Sequence, residues 1–91
     1  MKRIEEKMLR AIKDGRNWSE SNTEVAHNNG VTKVYLHGNL IAKRVNAKWL
    51  YSLCGWNTLT TRSRLNVLGC NVVQRNFTPY RNGVEWWSDF E

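Results

Sequence analysis

The sequence predicts an α+β domain: a small antiparallel β-meander sheet with one helix packed on it and an N-terminal helix. Three observations carry that reading. Apolar residues recur at helical spacing over residues 3–14 and again from Thr61 to Leu68. Between these segments lie runs of alternating side chains separated by short turn signals. The chain has 91 residues, a length that makes one domain and buries only about 60–65% of the surface its unfolded form exposes.

In the first segment Ile4, Met8, Ala11 and Ile12 fall on one helical stripe, Glu6 and Arg10 form a supporting i,i+4 pair, and Gly15 stops the helix. Its acids Glu5, Glu6 and Asp14 dilute its basic charge, so it reads as an ordinary packed or loosely docked helix, packing less tightly than the second. A strand meander follows over residues 22–54. Residues 22–27 alternate weakly, "NNG" turns the chain, "VTKVYLH" is a strand, "GN" a tight turn, "LIAKRV" a second strand, and "WLYSLC" a third after "NAK". With an even-length loop at Gly38-Asn39, one face carries Thr32, Val34, Leu36, Ile41, Lys43 and Val45. The other carries Val31, Lys33, Tyr35, His37, Leu40, Ala42 and Arg44, mixing basic and aromatic groups. The first is the better core face.

Residues 58–69 read as the second helix, with Thr58 or Thr60 as its N-cap, Thr61, Leu65 and Leu68 facing the core, and Gly69 as its stop. Residues 70–87 read as C-terminal strands, a strand over 70–75 and then a turn-containing hairpin in "FTPYRNGVEWW". Pro79 argues against a central strand there. Trp49, Tyr51, Trp56, Trp86 and Trp87 are expected mostly in the core.

The net charge is +6, but its distribution says more. Between Glu24 and Glu85 there is no acid, while that stretch carries Lys33, Lys43, Arg44, Lys48, Arg62, Arg64, Arg75 and Arg81. A field of one sign suits a polyanion or an acidic protein surface. It argues against acid–base catalysis, which needs a positioned pair of groups; the centre of the chain offers no carboxylate, and neither Cys54 nor Cys70 lies in a nucleophile motif. Cys-x-x-Cys and closely spaced His pairs are absent, so neither metal nor cofactor is expected. The two cysteines read as buried free thiols. The charged N-terminus does not read as a signal peptide, and no apolar run approaches the ~20 residues needed to span a membrane.

The arrangement "GWNTLTTRSRLNVLG", residues 55–69, puts Arg62 and Arg64 near the start of a helix, where the backbone dipole favours acids. A phosphate held by the N–H groups around Thr60 to Arg62, by Thr60 and Thr61, and by the two guanidinium groups would resolve that conflict. So would Glu85, Asp89 or Glu91 folding back onto the arginines, and the arginines could also simply reach into water. Lys33, Tyr35, His37 and Arg44 could together line a nucleic-acid surface, aromatics stacking on unpaired bases and cations following the backbone, with Arg75 and Arg81 adding charge.

The run "VYLHGNLIAKRV", then "GWNTLTTRSRLNVLG" and "VVQRN", resembles a widespread group of small tailed-bacteriophage proteins. The likeness rests on Leu-His-Gly-Asn followed by Ile-Ala, and on the pattern Trp-x-Thr-x-Thr-Thr-x-Ser-Arg-Leu-Asn. It reaches back to "NWSESNTEV" and covers most of residues 10–80. The matching positions are His37, Gly38, Asn39, Trp56, Thr58, Thr60, Thr61, Ser63, Arg64, Leu65 and Asn66; the acidic, Trp-rich tail after Tyr80 lies outside it. The resemblance implies a non-structural phage protein made in the host bacterial cytoplasm, and it implies no mechanism. The expected function is therefore a small basic phage accessory protein that binds nucleic acid through phosphate contacts. The alternative is a host-takeover or anti-defence inhibitor that binds an acidic patch on a bacterial protein.

Overall fold

The computed structural model describes residues 1–87 and 90. Its elements are α1 (Arg3–Asp14), β1 (Trp18–Glu20), β2 (Thr23–Asn28), β3 (Val31–Leu36), β4 (Asn39–Val45), β5 (Lys48–Tyr51), α2 (Leu59–Val67), β6 (Val72–Arg75), β7 (Thr78–Arg81) and β8 (Val84–Glu85). Strands β1 to β5 form an antiparallel sheet in sequence order, and β6 to β8 form a second, three-stranded one. The α+β class holds. Strand β1 was not foreseen, since three residues are too few to show a period.

Short turns set this topology. Asn29-Gly30, His37-Gly38, Asn46-Ala47, Asn76-Phe77 and Asn82-Gly83 have positive φ at both residues and each joins adjacent paired strands. That backbone twist matches the right-handed twist of the flanking strands. Register is interrupted once. Val34 pairs with Ala42 and Tyr35 with Leu40, leaving Ile41 as an extra residue in β4. This bulge reverses the alternation along β4.

Both helices lie on the sheet face that carries Val25, Val34, Ala42 and Tyr51, and their buried residues join those in one core. From α1 come Met8, Ala11 and Ile12, so this helix is an integral core element, not a loosely docked one. Ala11 offers little bulk and lets the helix approach closely. Gly15 ends α1 in the left-handed region, with its N–H and that of Arg16 donating to Ile12 and Ala11 carbonyls. Thr58 caps α2, its hydroxyl accepting from Thr61 N–H at 3.1 Å. Thr61, Leu65 and Leu68 face inward as their spacing requires, and Tyr51 Oη donates to the Leu68 carbonyl at 2.6 Å, tying the helix end to the sheet. The aromatic residues divide. Tyr51 and Trp86 are buried and Trp49 is half-buried, but Trp56 and Trp87 are exposed.

Pro79 occupies the middle strand of the small sheet, against the expectation that it would be excluded from one. Its carbonyl accepts from Trp86 N–H at 2.9 Å, and its missing donor falls on that same side. The β7–β8 ladder ends there, so the strand loses little by lacking an N–H.

Both cysteines are free; Cys70 is buried and Cys54, expected to be buried, is half-buried. Burial pushes the Cys70 thiol up to about 11, with Arg81 opposing the shift only in part. Cys70 should therefore escape iodoacetamide at pH 8 in the native protein and react in urea, a difference that intact mass reads directly.

Candidate nucleic-acid interface

The sheet face turned away from the helices carries a pair of half-buried lysines with no acid in their row. Lys33 and Lys43 stand directly opposite each other across β3 and β4. Like charges in that position destabilise a sheet, and no ion pair among the described residues includes either lysine. Leu50 lies beyond Lys43 and Ala26 beyond Lys33, so one row crosses four strands. In the next row Tyr35 pairs with Leu40 on one side and Glu24 on the other. Tyr35, Leu40 and Leu50 are half-buried, as stacking or packing platforms are when unoccupied. The C-terminal segment reaches this face at Phe90, whose ring centre lies 4.7 Å from Lys43 Nζ.

The predicted face is correct for Lys33 and Tyr35 and wrong for Arg44. The extra residue at Ile41 turns Arg44 to the helix side, where its guanidinium lies 5.5 Å from the Trp49 ring and donates to Thr32 Oγ1 at 3.3 Å. Lys43 takes its place on the open face. An even loop preserves parity only if the strand itself is regular, and nothing in "LIAKRV" marks the bulge.

The second predicted cluster, at the start of α2, is largely structural. Arg64 is 3% exposed and Glu5 2% exposed. Arg64 Nη1 donates to Glu5 Oε2 at 2.8 Å, and its Nε donates to Thr23 Oγ1 at 3.0 Å. Ser63 Oγ also donates to Glu5 Oε2. Burial pushes the Glu5 carboxyl up, but the bonds from Ser63, Arg64 and the Lys2 N–H, with the Arg64 charge, outweigh it and hold Glu5 below the ordinary carboxylate value. The anion that Arg64 needs is thus an acid of α1. Glu85 does not fill this role, and Asp89 and Glu91 lie outside the described residues. Arg62 reaches no carboxylate among the described residues. Its Nη1 donates to the Asn57 carbonyl at 3.2 Å, to Asn57 Oδ1, and to Gln74 Oε1 at 3.0 Å.

The proposed phosphate nest is correspondingly reduced. Thr61 is buried and its N–H is taken by the cap, while Arg62 N–H donates to the Thr58 carbonyl at 3.0 Å. Thr60 keeps a half-open position. It lines a cavity of about 490 Å³ where the two sequence patterns meet, His37 and Asn39 on one wall, Trp56, Thr58 and Thr60 on the other, and Leu36, Ile41 and Leu53 beneath. His37 is exposed at the β3–β4 turn with φ 52°, so it belongs to this cavity and not with Lys33 and Tyr35 on the open face.

Arg75 is exposed on β6. Arg81 is not open: its guanidinium lies 5.0 Å from the Tyr51 ring and 5.6 Å from the Trp86 ring, and Nε donates to the Cys70 carbonyl at 2.9 Å. The ten predicted residues therefore form no single site. Lys33 and Tyr35 share one face; His37, Thr60 and Thr61 share the cavity; Arg75 stands apart; Arg44, Arg62, Arg64 and Arg81 bind other parts of the chain. Sequence reasoning missed Lys43 as a partner of Lys33, and it missed Trp56, which is 60% exposed. Among the described residues no group of three or more His, Cys, Asp or Glu is placed to hold a metal ion. No helix among them is long and apolar enough to cross a membrane.

A family model described as Kyanoviridae Gp96 protein matches residues 1–91. No curated protein and no solved structure matches the chain.

Proposed function

The chain belongs to the Kyanoviridae Gp96 family, a bacteriophage protein family, and we propose that it is an accessory protein that binds nucleic acid through the helix-free face of its five-stranded sheet. It acts by binding and not by catalysis, in the cytoplasm of the host bacterium. The observation that carries this reading is the Lys33–Lys43 pair, directly opposed across β3 and β4 with no acid paired to either lysine among the described residues. A polyanion relieves their mutual repulsion, and Tyr35 beside them offers a ring to an unpaired base.

Binding should be micromolar or weaker, with little sequence preference and with log affinity falling as log salt rises. Fluorescence anisotropy of a labelled single strand checks this. Lys33→Gln with Lys43→Gln should weaken binding and flatten the salt slope by up to about two phosphate equivalents. Tyr35→Ala should cost roughly 1–3 kcal/mol of single-strand affinity with the fold intact. No binding by the unaltered protein at low ionic strength would sink this reading. A pull-down from host lysate that survives nuclease would then favour an acidic host protein as the partner.

A further inference from the structure

The turn at Asn76-Phe77 is at odds with its own chemistry. Its φ values are 48° and 65°, a conformation in which the second residue is ordinarily glycine. Three of the four other turns of this kind do place glycine second, Gly30, Gly38 and Gly83, and the fourth places the small Ala47 there. Here the residue is a phenylalanine, strained in the left-handed region. Packing does not compensate, because Phe77 is 86% exposed. A strained aromatic this exposed presents its ring to whatever lies outside the chain.

The tip is also held in place. The Phe77 carbonyl accepts from Asn57 Nδ2 at 3.4 Å, and the same Nδ2 donates to Gln74 Oε1 at 3.0 Å. Arg62 binds both Asn57 and Gln74, so a hydrogen-bonded clasp fixes the β6–β7 hairpin against the start of α2. Arg75 precedes the turn by one residue and is exposed. No carboxylate occurs in the sequence between Glu24 and Glu85, so the charge that flanks the ring in the chain is cationic. We infer that Phe77 is a base-stacking anchor: it stacks on an unpaired nucleobase while Arg75 takes the adjoining phosphate. This rests on the nucleic-acid reading above and adds a second contact point, on a different sheet from Lys33 and Lys43. A hydrophobic pocket of a protein is the competing occupant. The exposed Arg75 next to the turn favours the base.

The test is Phe77→Gly, examined beside Lys33→Gln/Lys43→Gln in the full chain, with a labelled oligothymidylate as probe. Phe77→Gly creates an Asn-Gly turn, so its Tm should rise. Its affinity should nonetheless fall by about tenfold at fixed salt, with an unchanged salt slope because no cation is removed. Phe77→Trp should keep the affinity. If Phe77→Gly binds like the unaltered protein while the lysine variant is weakened, the anchor is wrong and the sheet-face reading stands. If Phe77→Gly lowers the Tm, the ring packs within the fold and the anchor is again wrong. If the unaltered protein binds no oligonucleotide, both readings fall together.

Discussion

Replacing Arg64 by Met is expected to lower the stability of the domain by about 3–5 kcal/mol, because it strands the Glu5 carboxylate in the core. The two groups sit almost wholly out of water, with side-chain exposures of 4% and 2%. Each is further committed, Arg64 to Thr23 and Glu5 to Ser63. Urea denaturation checks the loss. Replacing both partners, Glu5→Leu with Arg64→Met, should restore most of it, since a pair of apolar groups leaves no buried charge unpaired. The pair also sets an acid limit. The Glu5 carboxyl is held below its ordinary value of 4.5, so its contribution is complete above that value and is lost as pH falls through the lower, folded-state value. The urea midpoint of the natural sequence should therefore drop on acidification by more than that of the double variant.

Arg81→Ala should cost about 2–3 kcal/mol, combining a hydrogen bond from a charged group with two ring contacts. Arg81 lies against Tyr51 of the large sheet and Trp86 beyond the small one, and it donates to the Cys70 carbonyl between them. Its removal loosens one sheet from the other. Thermal denaturation should show the loss, while nucleic-acid affinity at moderate salt should change far less than in the Lys33→Gln/Lys43→Gln variant. An Arg81→Ala protein of normal stability and poor binding would return this residue to the interface.

These two arginines show where the sequence was legible and where it was not. Periodicity placed α1, α2 and strands β3 to β5 closely, since apolar spacing and Gly or Asn turns are local signals. It also oriented Thr61, Leu65 and Leu68. The acid-free stretch correctly marked where the positive charge lies in the sequence. It could not show which cations face water, because the groups that occupy them are distant. Arg64 meets Glu5 from 59 residues away, and Arg81 meets Cys70 and Tyr51 across two sheets. Composition counts such an arginine as free. Lys33 and Tyr35 were found because alternation within one strand suffices. Arg44 was misplaced because one extra residue in β4 reverses every side chain after it.

That extra residue gives the β3–β4 hairpin an unusual mutational tolerance. Exposed turns ordinarily accept small insertions and deletions, and substitutions at His37 or Asn39 disturb little buried surface. Loss of one residue at Leu40 or Ile41 is another matter. It would turn the bulge into a regular ladder, with Ala42 still opposite Val34 and Lys43 still on the open face, but it would take the buried Ile41 side chain out of the core. In this segment the ladder can absorb the loss of one residue, and the cost falls on a single core side chain.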